Sequence, residues 1–134
     1  MRRNWFKAIL LCVAAIMLPS CGHDQQLISI ALQPSEGFVF EGLGAQGQFT
    51  AIGTYIHPPE TRDISNQVVW KLNIGNFGTL TQTGQITYER TDGCGSGDVT
   101  ATHYSDPSNP NTGSAIVASA PVKGVNDGKP ACQP

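Results

Sequence analysis

The stretch QFTAIGTYI, residues 48–56, alternates strictly between two sets of side chains and decides the fold class. Phe49, Ala51, Gly53 and Tyr55 fall on one face, and Thr50, Ile52 and Thr54 fall on the other. This period of two, in residues that favour extended backbone, predicts a β-strand with one buried face. The following His-Pro-Pro-Glu, residues 57–60, predicts a break in the sheet, because proline has no N–H to donate to a ladder.

Further segments of the same character lie before and after this strand, while helical periodicity is absent after residue 26. In the first of them Ile28, Ile30 and Leu32 share a face. The last two predict a hairpin around the proline-rich loop 106–113. The strand segments are 27–33, 38–40, 67–72, 79–81, 85–88, 98–104 and 114–122.

Short strands separated by turn residues predict an all-β sandwich or barrel of about seven strands. In a sandwich, the inward residues of the two sheets meet in a core about 10 Å thick. The predicted core is Phe49, Tyr55, Val68, Trp70, Leu80, Ile86, Val99 and Ala101.

The N-terminus has the plan of an export signal. Arg2, Arg3 and Lys7 precede the uncharged apolar run 8–18, and small residues follow it. Eleven apolar residues are too few to span a bilayer, which needs about 20. The prediction is a cleaved signal helix over residues 1–20 and a short stalk over residues 21–26.

The end of this signal, Leu18-Pro19-Ser20-Cys21, resembles the lipobox of bacterial lipoproteins. Pro19 and Ser20 are tolerated rather than typical in that motif. The resemblance implies that the Cys21 thiol is lipidated, the peptide is cut before it, and the new amine is acylated. Gly22, where an aspartate would retain the protein at the inner membrane, favours the outer membrane. The alternative is that Cys21 is a plain thiol or a disulfide partner.

Cleavage before Cys21 would leave 114 residues, enough for one domain with a modest core. This mature chain holds five Lys and Arg against ten Asp and Glu, a balance of −5. No basic stripe is present, so the composition does not favour nucleic-acid binding. The predicted partners are the membrane, through the lipid, and a protein or glycan.

The order of several motifs resembles the bacterial immunoglobulin-like domain, group 2, over roughly residues 27–122. The matching stretches are IALQP at 30–34, QFTA at 48–51, VVW at 68–70, GQI at 84–86 and GDVTAT at 97–102. The family implies an all-β, immunoglobulin-like two-sheet sandwich of about seven strands at residues 27–123, surface display, and a role in adhesion or as a spacer. It supplies no catalytic residues. Its modules usually occur in tandem, whereas this chain contains a single copy.

Cys94 and Cys132 would remain as a pair in an exported chain, which favours a disulfide. The bond would tie the tail, residues 124–134, to the glycine-rich segment around Cys94. Two free thiols or a metal pair are the alternatives, although no His or Cys lies at zinc spacing.

The sequence contains no motif for nucleophilic catalysis or phosphate binding, so no catalytic residue, metal or cofactor is predicted. His23, His57 and His103 are expected on the stalk, in a loop and on a strand. The acid pairs Glu60/Asp63 and Asp92/Asp98 favour solvated loops over a calcium site.

We therefore expect a non-catalytic, lipid-anchored cell-envelope module for adhesion or for protein or glycan interaction. Its contact surface is expected in the loops around Pro58, Gly93 and Pro107, because loops at sandwich ends carry function. The alternatives are a small envelope hydrolase, which needs two converging carboxylates in a pocket, and a structural lipoprotein without a partner.

Overall fold

The computed structural model describes residues 25–91, 94–110 and 113–125. The described residues are all-β, and about ten strands form sheets arranged like a β-sandwich. The predicted fold class is therefore confirmed. The number of strands is larger than the seven expected. The strands are β1 Gln26–Gln33, β2 Phe38–Glu41, β3 Gln46–Gln48, β4 Thr50–Ile56, β5 Glu60–Asp63, β6 Val69–Leu72, β7 Gly78–Leu80, β8 Gln85–Tyr88, β9 Gly95–Tyr104 and β10 Ala115–Val125. The predicted signal, residues 1–20, lies outside the described residues.

One sheet has four strands in the order β2-β10-β9-β6. Its centre is the predicted hairpin, in which β9 and β10 pair antiparallel from Tyr104 opposite Ala115 to Gly95 opposite Gly124. β2 runs parallel to β10, and β6 runs antiparallel to β9. The two longest of the described strands therefore form the middle of this sheet.

The other two sheets, β1-β4-β5 and β3-β8-β7, share one stretch of chain. The predicted strand 48–56 divides at Phe49, whose N–H donates to the Gly84 carbonyl at 2.9 Å. Before Phe49 the chain pairs with β8, and after it the chain pairs with β1 and β5. The alternation still places Phe49, Ala51 and Tyr55 in the core, with at most 5% of each side chain exposed.

The predicted break at residues 57–60 is wrong in one respect, because Glu60 opens strand β5 and pairs with Tyr55. The two prolines lie in the turn itself, where the His57–Pro58 bond is cis and His57 has a φ of 60°. Neither proline therefore occupies a strand position where it would have to donate a hydrogen bond to a neighbouring strand. β5 has no apolar alternation, since all four of its residues are exposed.

The prediction that Ile28, Ile30 and Leu32 share one face of β1 is wrong for Ile28. The register of β1 against β4 shifts between Leu27 and Ser29, as in a β-bulge. Leu27 therefore packs against the core with Ile30 and Leu32, whereas Ile28 is 48% exposed.

Of the eight predicted core residues, seven are buried and Leu80 is partly buried against them. The Trp70 indole N–H donates to the Ser65 carbonyl at 2.9 Å, so its polar atom is satisfied inside the core. Sequence reasoning missed the aromatic cluster at the other end of the core, where rings pack at centroid distances of 4.8–6.2 Å. Its members are Phe38, Phe40, Phe49, Phe77 and Tyr88.

Two boundaries differ slightly from the predicted domain limits. Gln26, assigned to the stalk, begins β1, and β10 continues to Val125, past the predicted limit at residue 123. The Val125 carbonyl accepts the Gly42 N–H at 2.8 Å.

Candidate functional site

The strand directions define two ends of the domain. The first, called the N-terminal end here, contains Gln25, the turn at residues 57–59 and the loop that follows Tyr104. The Gln25 side-chain amide donates to the Glu60 carboxylate at 2.7 Å, and Gln26 pairs with Ile56. The start of the described chain thus lies beside the Pro58 turn.

The opposite end, called the far end, contains residues 41–45, 73–77, 89–91 and Cys94. Its segments are joined by backbone hydrogen bonds, from Gly44 N–H to the Tyr88 carbonyl at 2.8 Å and from Glu89 N–H to the Phe77 carbonyl at 2.9 Å. Cys94 precedes β9 at this end.

Strand β9 connects the two ends. Its ten residues, at about 3.3 Å per residue, separate them by roughly 30 Å. Pro107 follows β9 at the N-terminal end, whereas Cys94, next to Gly93, precedes it at the far end. The three loops predicted to form the contact surface are therefore divided between the ends, with Pro58 and Pro107 together at the N-terminal end. Gly93 itself lies outside the described residues.

A cavity of about 490 Å³ lies at the far end, called the far-end cavity here. The described residues that line it are polar or glycine: Asn76, Gly78, Glu89, Arg90 and Thr91. Asn76 adopts a left-handed conformation with a φ of 58°, which asparagine tolerates better than most residues. A smaller cleft of about 230 Å³ lies at the N-terminal end, lined by Gln25, Gln26, Leu27, His103, Ser105, Ser114 and Ile116.

Two aspartates at turns are held as carboxylates by serines. The Ser108 hydroxyl donates to Asp106 at 2.6 Å and the Ser108 N–H at 3.0 Å, and these bonds lower the pKa of Asp106. Hydrogen bonding by the Ser65 hydroxyl and by the Ser65 N–H, at 2.8 Å, lowers the pKa of Asp63. The Ser65 hydroxyl also accepts the Ala51 N–H at 2.9 Å, so this turn is fastened to β4.

Three of the four acids considered for calcium accept hydrogen bonds from neighbouring side chains or backbone. Glu60 accepts from Gln25, and Asp63 accepts from Ser65. The Asp98 carboxylate accepts from the Asn73 amide at 3.1 Å. Asp92 lies outside the described residues, and among the described ones no three His, Cys, Asp or Glu residues are grouped to hold a metal ion.

Of the predicted modification sites, Cys94 is disulfide-bonded. Cys21 and Cys132 lie outside the described residues, as does His23. The pairing of Cys94 with Cys132 therefore stays a prediction. His103 lines the N-terminal cleft, and His57 lies in the turn before β5.

In neither of these two cavities do the described lining residues include a pair of carboxylates, as the hydrolase alternative would require. Glu89 is the one carboxylate among the described residues lining the far-end cavity, and the described lining of the N-terminal cleft has none. In residues 25–91, 94–110 and 113–125, no helix is long and apolar enough to cross a membrane.

Comparison with known proteins adds no assignment, since no family model and no curated protein matches the chain. The two cavities were not predicted, because each collects residues from strands and turns distant in sequence.

Proposed function

We propose that this protein is a non-catalytic, lipid-anchored module of the bacterial cell envelope, and that its far end carries the surface for a protein or glycan partner. The lipobox-like segment ending at Cys21 supports the anchor, with the outer membrane as its location. The order of strand motifs and the sandwich-like fold both support a single immunoglobulin-like domain of group 2.

The observation that carries the proposal is the position of Gln25 beside the Pro58 turn, fixed by its hydrogen bond to Glu60. Four residue steps separate Cys21 from Gln25, and an extended chain covers at most about 3.6 Å per residue, or roughly 14 Å. The far end is roughly 30 Å further away along β9. A lipid on Cys21 therefore brings the N-terminal end to the bilayer and turns the far end outward.

This orientation changes which loops can meet a partner. The turn at residues 57–59 and the loop after Tyr104 face the membrane, although both were predicted as contact loops because they lie at an end of the sandwich. The segments around Leu43, Asn76 and Thr91 face away from it. Leu43 is 53% exposed there, and the far-end cavity opens between the other two segments.

Site-specific photocrosslinking in intact cells tests the proposal. A benzoylphenylalanine residue replaces Pro59 at the N-terminal end or Leu43 at the far end, both exposed positions. We expect lipid adducts from position 59, and adducts with protein or glycan neighbours but no lipid from position 43. A Cys21→Ala version of each variant should lose membrane fractionation and all lipid adducts.

Equal lipid crosslinking from the two positions in the lipidated protein would contradict the orientation. Unchanged size and fractionation of the Cys21→Ala protein would contradict the anchor itself.

A further inference from the structure

We propose that residues 126–131, called the tail loop here, fold over the far-end cavity and are fixed there by a disulfide between Cys94 and Cys132. The tail loop lies outside the described residues, but the positions to which its two ends are joined are described. This inference goes beyond the proposed function and does not depend on a lipid at Cys21. It rests instead on the predicted pairing of Cys94 with Cys132.

The reach of the chain decides which cysteine can pair with Cys94, which is disulfide-bonded. The other three cysteines of the chain are Cys12, Cys21 and Cys132. Gln25 lies at the N-terminal end, roughly 30 Å from Cys94 along β9. Cys21 is at most about 14 Å from Gln25, so it cannot come within the roughly 7 Å between Cα atoms that a disulfide requires. Cys12 belongs to the predicted signal that is cut off, which leaves Cys132.

With this pairing, the two ends of the tail loop lie close together. Gly124 pairs with Gly95, so Val125 comes next to Cys94, and neighbouring strands are about 4.8 Å apart. Seven residue steps separate Val125 from Cys132, far more than this gap requires. The chain must therefore leave β10 and return to Cys94 as a loop.

The strand residues next to these two ends contact the segment that lines the cavity. A Cβ at Gly95 would lie 3.0 Å from the Arg90 guanidinium, so the Arg90 side chain lies against the start of β9. A Cβ at Gly124 would overlap the ring of Tyr88, the residue before Glu89. Glu89 and Arg90 both line the cavity. The tail loop therefore begins and ends beside the cavity wall.

A lysine in the tail loop complements a carboxylate of the cavity. Glu89 accepts a hydrogen bond from the Thr79 hydroxyl at 3.4 Å, and a carboxylate has about four acceptor positions, so it can also accept from an ammonium group. Lys129 lies three residues before Cys132 and carries three donors on a flexible stem. A loop held at Cys94 therefore brings a cation to the Glu89 carboxylate.

A tethered segment fits this cavity better than a free ligand does. Arg90 already has an interaction partner and Glu89 accepts from Thr79, so a ligand from solution would gain little from either side chain. Such a ligand also loses translational and rotational freedom on binding, whereas a segment of the same chain acts at a millimolar effective concentration. A partner at the far end would then meet the tail loop rather than an open cavity.

Intramolecular photocrosslinking of the full chain in detergent tests the proposal. A benzoylphenylalanine residue replaces Thr91, which is exposed at the cavity, or Ser96, which is exposed on the face of β9 opposite to Gly95. We expect position 91 to form adducts with peptides from residues 126–131, and position 96 to form clearly fewer. Cys132→Ser, which releases one end of the loop, should lower the yield from position 91 by about tenfold or more.

Lys129→Gln tests the contact with Glu89. It should lower the yield from position 91 about twofold, the effect of losing one exposed ion pair. Lys123→Gln, on the exposed side of β10, is the matched control and should leave the yield unchanged. Thermal melts show that each variant folds, and the comparison of positions 91 and 96 in the disulfide-bonded protein needs neither variant.

Adducts with residues 126–131 from position 96 alone, equal yields from both positions, or no such adducts from either would overturn the placement of the tail loop. A disulfide-linked dimer in the absence of reductant would overturn the pairing within one chain. Equal losses in the Lys123 and Lys129 variants would exclude the contact with Glu89. None of these outcomes depends on Cys21, so failure of this proposal can be distinguished from failure of the anchor, which is measured by fractionation and lipid crosslinking.

Discussion

Replacing Gly124 with alanine tests how closely β10 packs against β8. A Cβ at Gly124 would overlap the Tyr88 ring and would lie 2.7 Å from its Cδ2 atom, well inside the ~3.5–4.0 Å optimum for carbon contacts. The ring cannot move aside freely, because Phe77 packs edge-on at a centroid distance of 5.0 Å and Phe40 stacks at 6.2 Å. Either the ring or the strand must shift by about 1 Å.

Overpacking of this kind costs about 1–3 kcal/mol, and the confined ring places Gly124→Ala near the upper half of that range. A loss of about 2 kcal/mol should lower the melting temperature by at least roughly 8 °C. Urea unfolding followed by the fluorescence of Trp70, which is 3% exposed, measures the free energy directly.

Gly75→Ala is the matched control, since a Cβ at Gly75 would have no atom within 4 Å. Its effect should stay within about 0.5 kcal/mol. If Gly124→Ala unfolds at the same urea concentration as the wild type, or if both variants lose equal stability, the close packing of β10 on Tyr88 is refuted.

Three further predictions concern the core, a turn and the disulfide. Trp70→Ala should cost about 3–5 kcal/mol in urea unfolding, and Trp70→Phe clearly less, because the ring volume is partly kept; equal losses would contradict the packing argument. The pKa of Asp106 is lowered in the folded protein, so its carboxylate stabilises the fold fully above the unfolded pKa of ~3.9 and loses this effect as the pH falls through the lower folded pKa. The melting temperature of Asp106→Asn should therefore lie below that of the wild type at neutral pH, and this difference should shrink below about pH 4. A difference that does not change with pH would exclude this role of the carboxylate. The mature chain should show no alkylatable thiol until it is reduced, and a Cys132→Ser variant should expose the Cys94 thiol to alkylation; a protected Cys94 in that variant would exclude the pairing.

The strand pattern could be predicted because most strands have one buried face and one exposed face. Residues 50–56 and strand β10 follow this rule. β5 does not, since both of its faces meet solvent and its four residues carry no alternation. It is a strand because the turn at residues 57–59 returns the chain alongside β4, which is a tertiary effect.

Irregular strand pairing explains the remaining differences between the predicted and the observed strands. The bulge near Ile28 shifts the alternation by one residue, and the division of the strand at Phe49 moves the chain between two sheets without changing its alternation. Neither event leaves a signal in a single sequence, because a period of two reports which side chains share a face and not which strands are paired. The two cavities are hidden for the same reason, since each depends on which ends of which strands meet.

Under the proposed function, strand direction rather than loop composition determines which surface of this domain is free to meet a partner. Proline, glycine and asparagine indicate that a segment is a turn, and they occur equally at both ends of a sandwich. The end nearest an N-terminal lipid is set by the position of β1, and the hydrogen bond of Gln25 to Glu60 assigns the Pro58 turn to that end. If Cys21 carries the lipid, the Pro58 and Pro107 loops lie next to the bilayer. Residues that recognise a partner are then expected at the far end. In that orientation the side chains of the far end, and not those of the Pro58 and Pro107 loops, are the ones to substitute when partner specificity is tested.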